Sequence, residues 1–306
     1  YFIFKDIIIK LLSEVFCMNR FLLRIVRIFG AGNPAIHKAI EYYGSPEMVC
    51  NELDKGDYRF LTDKGMRERV STVTFEKIDK LILWCNKREI KLVNIYEKEY
   101  PGMLKEIYNP PVILFYCGDL SCLANSPLTV VGAREITPYI EKLSFRICRD
   151  LSKSGVTIIS GMAKGVDSVA HNACVYEGNP TVGVLACGMN CDYPYGSSIL
   201  RRKIILNGGA YISELFPEVE PSREYFRGRN RILAGLSKGT VVFQAGKKSG
   251  SLITAEYALN EGRDVFCVPP PNLLDRRYEG VIQYLDDGAV PVFNHDDILE
   301  FYRKNY

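Results

Sequence analysis

Residues 128–167 read as a strand, a helix and a second strand, an order that places the chain among folds with a parallel sheet. The apolar run LTVV breaks at Gly132, and a polar turn leads into a helical segment with four apolar residues on one face (Ile140, Leu143, Ile147 and Leu151). A second apolar run, VTIIS, ends in the loop GMAKGVD. Strands that are apolar on both faces belong in the middle of a parallel sheet that helices cover. The segment therefore predicts one βαβ unit of an α/β fold.

The chain after this unit repeats the alternation of strands and helices. An apolar strand, VILFY, precedes the unit, and helical segments separate the other predicted strands, which lie at 128–132, 156–160, 181–186, 210–213, 240–243 and 264–268. This order predicts a doubly wound, mostly parallel sheet of roughly six or seven strands.

The first part of the chain has a different pattern. Residues 1–17 are apolar but include four charged residues and lack a small-residue cleavage site, so neither a signal peptide nor a membrane anchor is well supported, and we treat them as an uninformative extension. Residues 18–94 read as short helices. The turn GAGNP between two of them is typical of a sterile-alpha-motif-like or helix-hairpin-helix unit, with a plain helical bundle as the alternative. The predicted domains are residues 1–17, 18–94 and 95–306.

Positive charge is concentrated in one stretch of the chain. The formal net charge of the 306 residues is only +3, so the chain as a whole is not a polycation. Between Pro221 and Gly250, however, a single acid, Glu224, accompanies seven basic residues: Arg223, Arg227, Arg229, Arg231, Lys238, Lys247 and Lys248. Focused charge of this kind implies an anionic partner.

Ten cysteines lie scattered along the chain without a CxxC pair. Several fall within apolar strand or helix patterns, as expected of small buried side chains in a reducing cytoplasm. Cys187 and Cys191 are the closest pair, but the chain has only three histidines and no second cysteine pair near these two. We therefore expect a cytoplasmic protein with no metal site and no cofactor.

The loops after the predicted strands carry the functional prediction, because ligands bind at the carboxyl ends of parallel strands. These loops are GAREIT, SGMAKGVD, ACGMNCDYP, SELFP and QAGKKSGS. They contain neither a GxGxxG dinucleotide fingerprint nor a Walker A motif. Backbone amides at helix starts, together with Arg134 and Lys164, suit phosphate groups without hydrolysing them.

The same loops lack the residue sets that catalysis needs. They contain no GxSxG elbow, no cysteine–histidine pair and no paired carboxylates, and Glu214 and Asp167 are their only acids of interest. Asp167 follows a glycine at a predicted helix start, which favours a helix N-cap over a chemical role. We therefore expect no catalytic residue and no enzymatic activity.

The segment YFRGRNRILAGLS, residues 225–237, is the strongest binding signal. Three arginines (Arg227, Arg229 and Arg231) alternate along it beside Phe226, and the apolar face of a helix follows. Guanidinium groups bind phosphate as planar forks, and an exposed aromatic ring is a platform on which bases stack, a combination used for single strands. The alternative is that some of these arginines brace the sheet edge, which we expect of Arg231 and consider for Arg229.

Ordered motifs between Tyr100 and Leu299 resemble those of the DNA-processing protein A (DprA or Smf) family: VVGAR, SGMAKGVDSVAH, CGMNCDYP, SELFP, FRGRNRILAGLS, SGSLITAEYALNEGRDVFCVP and DDGAVPVFNHDDIL. The resemblance implies an extended Rossmann-like domain preceded by a small helical domain. It also implies a non-enzymatic homodimer that binds single-stranded DNA, protects incoming DNA and loads the RecA recombinase in natural transformation, with no attachment to a membrane.

The resemblance further implies which residues bind DNA. The family's pocket corresponds to Arg134 of the GxR turn, to Lys164 of the SGxAxG turn and to three residues of the arginine-rich motif. With the neighbouring loop residues, the predicted DNA-binding set is Gly132, Arg134, Lys164, Gly165, Arg223, Phe226, Arg227, Arg229, Asn230, Ser249 and Ser251. One departure is that Arg227 stands where the family usually has proline, which implies a less rigid loop with an added cation.

A second class of function stays open. Proteins of the related cytokinin-activating phosphoribohydrolase fold carry a GGxGTxxE loop, and SGSLITAE at residues 249–256 resembles a degenerate form of it. Ser251 replaces the second glycine of that loop, and Thr254 is displaced. A nucleotide sensor or a phosphoribohydrolase-like enzyme is therefore the alternative to a DNA-binding protein without enzymatic activity.

Overall fold

The structure, a computed structural model, describes the backbone of residues 2–305 and the side chains of residues 15–304. The chain divides into two compact units. The first unit comprises Tyr1–Tyr100 and Asn109–Phe115, and the second comprises Pro101–Tyr108 and Tyr116–Tyr306.

The first unit is mostly helical. Its elements are α1 (Phe2–Phe29), α2 (Ala35–Tyr43), α3 (Pro46–Asp54), α4 (Lys64–Thr72), α5 (Phe75–Asn86) and the strand β1 (Lys91–Asn94). Helix α1 is central, because it contacts the other four helices and buries Leu22, Leu23 and Ile25 completely. Helices α3, α4 and α5 each have an N-cap residue: Ser45, Asp63 and Thr74, respectively. The side chain of each N-cap residue accepts a hydrogen bond from a backbone N–H in the first turn of its helix.

The turn GAGNP connects α1 to α2, as predicted. Gly30 ends α1 with a φ of +94°, and Asn33 bridges the turn by donating to the carbonyl of Phe29 (3.0 Å) and accepting from the N–H of Ala35 (2.9 Å). The likeness to a sterile-alpha-motif or helix-hairpin-helix unit stays a prediction. Residues 2–17 belong to α1, and the side chains of residues 1–14 lie outside the described part. Within the described residues, no helix combines the length and the apolarity needed to span a membrane.

The second unit has alternating strands and helices. Its elements are α6 (Gly102–Lys105), β2 (Ile113–Gly118, which both units share), β3 (Leu128–Val131), α7 (Pro138–Lys153), β4 (Ile158–Ser160), α8 (Val166–Tyr176), β5 (Thr181–Val184), α9 (Ser197–Leu206), β6 (Ala210–Ser213), α10 (Arg223–Gly235), β7 (Gly239–Val242), α11 (Gly250–Asn260), β8 (Asp264–Cys267), α12 (Glu279–Asp286), β9 (Val290–Pro291) and α13 (His295–Asn305). Two short 3₁₀ helices lie at Leu120–Ala124 and Arg276–Tyr278.

The strands form a nine-stranded sheet in the order β1-β2-β6-β5-β4-β3-β7-β8-β9. The strand pairs from β6 to β9 are parallel. The chain winds from β3 through β4 and β5 to β6, and then returns to place β7 on the other side of β3. The reversal therefore lies between β3 and β7, where Val131 and Val242 are partners at the carboxyl ends. Doubly wound sheets bind their ligands in the crevice at this position.

Helices cover both faces of the sheet, as its apolar strands require. Successive side chains of a strand point to opposite faces. Leu128 and Val130 of β3 belong to an apolar core that includes residues of α7 and α8. Thr129 points to the other face, where its hydroxyl donates to the carbonyl of Leu233 in α10 (2.7 Å). These observations confirm the predicted α/β fold class with a helical region before it.

The sequence pattern predicts fewer strands than the sheet contains. The unpredicted strands are β1 and β9, which lie at the two ends of the sheet. β9 has only two residues, and its Pro291 has no backbone N–H. A strand of two residues gives no recognisable pattern, and β1, with the sequence KLVN, has a polar residue at each end and no apolar run longer than two residues.

Candidate nucleic-acid interface

A cavity of about 310 Å³ opens at the reversal between β3 and β7. Its lining comes from the end of β3 and the turn after it, the turn after β4, the start of α8, one side of α10 and the start of α11. Seven of the predicted residues line it: Gly132, Arg134, Phe226, Arg229, Asn230, Ser249 and Ser251. Residues from distant parts of the sequence are thus gathered at the place where this fold binds ligands.

The turns after β3 and β4 pack directly against each other. The N–H of Val166 donates to the carbonyl oxygen of Ala133 (3.2 Å). Gly165 has a φ of +75°, and a Cβ atom here would lie 2.2 Å from the same oxygen, so only glycine fits. Arg134 and Lys164 are the chain neighbours of this contact, and both side chains are exposed. The contact therefore fixes the backbone positions from which the two cations project.

The arginine-rich motif lies in helix α10, so the predicted less rigid loop at Arg227 is wrong. The hydroxyl of Ser222 accepts from the N–H of Tyr225 (3.3 Å) and starts the helix before the motif. Residues four apart share one face of a helix, and Arg223 and Arg227 are accordingly both exposed. Arg229 projects from the opposite side and is buried.

Arg229 is 6% exposed and connects two loops. Its guanidinium donates to the carbonyl oxygens of Gly161 (2.7 Å) and Val184. Burial lowers the pKa of Arg229 to about 10, although the charge of Asp167 acts in the opposite direction. Arg229 lines the cavity while it braces the ends of β4 and β5, which is the alternative role considered for it from the sequence.

Asp167 is not the N-cap of α8, so that prediction is wrong. The helix begins at Val166, its N-cap is Gly165, and Asp167 is its second residue. The carboxylate points back and accepts from the N–H of Ala163 (3.3 Å). Burial raises the pKa of Asp167, and the charge of Arg229 partly offsets this effect. The two buried groups thus compensate each other within the wall of the cavity.

The ring of Phe226 is half-buried between two other side chains. Tyr193 contacts it edge-on, with 5.5 Å between the ring centroids and an angle of 61° between the planes. The guanidinium carbon of Arg134 lies 4.9 Å from the centroid of the Phe226 ring. A cation at this distance is attracted by the face of an aromatic ring. The predicted phosphate-binding and base-stacking residues therefore meet in one place.

Three further predicted residues lie where α10 approaches α11. The amide of Asn230 donates to the carbonyl of Gly250 (3.2 Å). Ser249 is the N-cap of α11, and its hydroxyl lies 2.7 Å from that of Ser251. These contacts tie the arginine-rich helix to the loop QAGKKSGS and leave polar groups facing the cavity.

Four predicted residues do not line this cavity. Lys164 lines a neighbouring cavity of about 190 Å³, which shares Ala163 with the first. Arg223 and Arg227 lie on the exposed face of α10, and Gly165 lies in the contact between the turns.

The structure confirms that Arg231 acts as a brace. Its guanidinium forms a buried ion pair with Glu214 in the loop after β6, with 2.6 Å between nitrogen and oxygen.

Sequence reasoning missed Tyr193, although the residue stands in the quoted motif CGMNCDYP. The available signal was an aromatic residue in a loop that follows a parallel strand.

The described residues include no group of three or more His, Cys, Asp or Glu side chains placed to hold a metal ion. Cys17 is exposed and the other nine cysteines are buried, as their apolar surroundings in the sequence predict. Burial raises the pKa of Cys191 to about 11, and its thiol donates to the carbonyl of Val219 (3.2 Å). The cavity offers guanidinium, amide, hydroxyl and ring groups, which suit an anion that carries aromatic rings.

Comparison with known proteins gives a consistent result. A family model described as DNA recombination-mediator protein A matches residues 91–303. DNA processing protein DprA of Streptococcus pneumoniae is 35% identical over 271 residues, which are 88% of this chain and 93% of that protein. An X-ray structure of DNA processing protein A from Streptococcus pneumoniae matches 92% of this chain and 97% of its own, with a TM-score of 0.80 and 31% identity.

A structure that describes the single-stranded DNA binding mode of DNA processing protein A from Helicobacter pylori matches 71% of this chain and 97% of its own, with a TM-score of 0.63 and 27% identity. The family match extends over more than half of the chain and includes every loop that forms the cavity. The chain therefore belongs to the DNA recombination-mediator protein A family.

Proposed function

We propose that the chain is a non-enzymatic, single-stranded DNA-binding protein that protects incoming DNA and loads a RecA-type recombinase, as in natural transformation. It acts in the cytoplasm as a homodimer. The observation that best supports the proposal is the contact between Arg134 and Phe226 at the mouth of the sheet crevice. Family membership and the described activity of the Helicobacter pylori relative favour the same ligand.

A single strand offers phosphates and unpaired bases, and the site has a partner for each. The exposed cations Arg134 and Lys164 are available to phosphates, and the Phe226 ring is available to a base. Arg223 and Arg227 continue the basic surface along α10. Duplex DNA should bind more weakly, because its paired bases are stacked on one another and do not reach the ring.

A phosphoribohydrolase-like enzyme is the alternative, and two observations disfavour it. The carboxyl group in the cavity belongs to Asp167, which is buried, bonded to backbone and compensated by Arg229. Glu256, the acid of the degenerate loop, is exposed and does not line the cavity. Incubation with nucleoside monophosphates should release no free base, and steady release would contradict the proposal.

Binding of a fluorescent oligo-dT, followed by anisotropy at several salt concentrations, tests the DNA-binding part. Four exposed cations (Arg134, Lys164, Arg223 and Arg227) predict that log K falls with log[salt] at a slope of about −3, since each phosphate contact on a single strand contributes about −0.7. Lys164→Ala should reduce the steepness by about 0.7 and leave thermal stability unchanged, because an exposed lysine in a turn has little packing.

The matched control is Lys142→Ala, which removes an exposed lysine of α7 that lines neither cavity. We expect the control to keep the parent's slope. Equal effects of the two substitutions would mean that net charge, and not this site, binds the strand. A slope near zero for the parent would exclude the site.

The recombinase part needs a separate experiment. The chain should retain the host's RecA-type recombinase in a pull-down and speed its assembly on single strands. A chain that binds single strands but does neither would keep the DNA-binding part of the proposal and remove the loading part.

A further inference from the structure

We propose that Tyr195 and Lys164 form a second nucleotide subsite, where a base of the bound single strand stacks on the Tyr195 ring while a neighbouring phosphate contacts the Lys164 ammonium. The inference rests on the proposed function, because the subsite extends the same interface by one or more nucleotides. It assigns a binding role to a residue outside the arginine-rich motif.

The subsite is the cavity of about 190 Å³ that lies beside the first one. Lys164, Tyr195 and Ser197 are among its lining residues, and Ala163 lines both cavities. The two are also connected through the loop after β5, because Tyr193 contacts Phe226 and Tyr195 follows two residues later. The loop that contacts Phe226 through Tyr193 therefore also carries Tyr195.

Tyr195 is 98% exposed, so its ring does not contribute to the core. Pro194 precedes it and fixes its own φ, while Gly196 follows it as the N-cap of α9. A ring on a mobile loop would lose much conformational freedom when a base stacked on it, and this loss would oppose binding. The loop around Tyr195 must therefore be held in place if the ring is to serve as a platform.

Asp192 holds this loop. Its carboxylate accepts from the N–H of Gly196 (2.9 Å), the hydroxyl of Ser197 (3.0 Å) and the N–H of Ser198 (2.8 Å). These bonds connect the residue before Tyr193 to the start of α9, and Tyr195 lies within the closed loop. The backbone of the platform is thus fixed before any strand binds.

The same bonds indicate which group binds the phosphate. A helix N-terminus attracts anions through its unpaired N–H groups, but Asp192 already occupies two of those at the start of α9. Asp192 does not line the subsite, and its carboxylate is engaged by three hydrogen bonds to residues 196–198. Lys164 is the cation in the lining, and it is exposed. A polyanion with unpaired bases satisfies both the lysine and the ring.

A tryptophan at position 195 tests the stacking directly. The chain has one tryptophan, the half-buried Trp84 in the first unit, so Trp84→Phe gives a silent background. In that background, Tyr195→Trp should lose most of its fluorescence when oligo-dT saturates the protein, because a stacked base quenches the indole. The matched control is Tyr108→Trp, which places the reporter at another tyrosine of the second unit that is 84% exposed and lines neither cavity.

Affinities complete the test. Tyr195→Ala should weaken oligo-dT binding about 5- to 150-fold, as expected for one stacking ring, without changing the salt slope. Tyr195→Phe keeps the ring and should bind like the parent. Binding without quenching at position 195, or equal quenching at position 108, would overturn the subsite and leave the proposed function intact. A parent that binds no oligo-dT overturns both proposals.

Discussion

Phe226 contributes both to packing and to the ligand surface. Tyr193 contacts its edge, Arg134 lies near its face, and the side chain is half-buried. A fully buried ring would offer no surface to a base, whereas a freely rotating one would have to be immobilised on binding. The half-buried ring leaves part of its surface accessible to a base, and its neighbours already fix its orientation, so little freedom is lost on binding.

Replacement of Phe226 should separate base stacking from charge. Phe226→Ala is expected to weaken single-strand binding by about 1–3 kcal/mol and to leave the salt slope unchanged, since no phosphate contact is lost. Phe226→Leu is the control, because it keeps an apolar contact with Tyr193 but has no aromatic face. Phe226→Leu should lose about as much affinity for single strands as Phe226→Ala, but its melting temperature should lie closer to that of the parent. Parental affinity in the leucine variant would show that the ring only packs.

The arginines show which part of the site the sequence could predict. The resemblance to the family implied that Arg134 and Phe226 belong to one binding surface, and the two side chains meet. The sequence pattern predicted a bracing role for Arg231 and left the role of Arg229 open, and the structure shows Arg227 exposed and Arg229 buried. In a helix, residues two apart point in nearly opposite directions, so the difference depends on a helix start at Ser222 that the motif itself does not show.

The contact between the turns after β3 and β4 holds together the two turns that carry Arg134 and Lys164. It combines the hydrogen bond from Val166 to Ala133 with the close approach at Gly165. A side chain at position 165 would have to push the turns apart, because the atom it meets belongs to the backbone and cannot rotate away.

Gly165→Ala and Gly208→Ala distinguish close approach from backbone strain. Gly208 has a φ of +73°, close to that of Gly165, but nothing lies within 4 Å of its Cβ position. We expect Gly208→Ala to lower the free energy of unfolding by about 1–3 kcal/mol through strain alone. Gly165→Ala should lower it further and also weaken oligo-dT binding. Urea unfolding and anisotropy measure both effects, and equal losses in the two variants would disprove the role of the contact.

Element prediction succeeded where the residues of a strand are mostly buried and apolar. The strands from β3 to β8 each have at least three residues and are mostly buried, so their apolar runs stand out against the helices between them. β1 begins with the exposed Lys91, and β9 has two residues. Strands of this kind are identified by the neighbour with which they pair, which is a property of the folded sheet.

His171 affects the stability of the whole α/β unit as pH changes. The ring is fully buried in α8, and its Nδ1 lies 2.8 Å from the hydroxyl of Thr181. That hydroxyl donates to the carbonyl of Ile158 (2.6 Å), so Nδ1–H must be the donor to it. Nε2 then carries a lone pair and has no hydrogen-bond partner. Burial lowers the pKa of His171 to about 3, the positive charge of Arg229 acts in the same direction, and a backbone contact with Ser160 partly offsets both effects.

Acid should therefore destabilise the fold well above the range in which carboxylates titrate. Below pH of about 6.5 the unfolded chain binds a proton at His171 that the folded chain excludes, so stability falls by about 1.4 kcal/mol per pH unit. Urea unfolding at pH 7.5 and 5.5 should show a loss of this size. His171→Leu removes the titrating group and should reduce the difference between the two pH values. An unchanged difference would assign the effect to other residues.

The two-residue strand β9 determines how copies of the molecule are able to join at that end of the sheet. An open sheet edge recruits a strand from a neighbour through its free N–H and C=O groups. Here the edge offers one residue with an N–H group and one proline, too little for a ladder to continue. Two copies that meet at this edge must recognise each other through side chains. The backbone of this edge therefore does not drive growth into fibres.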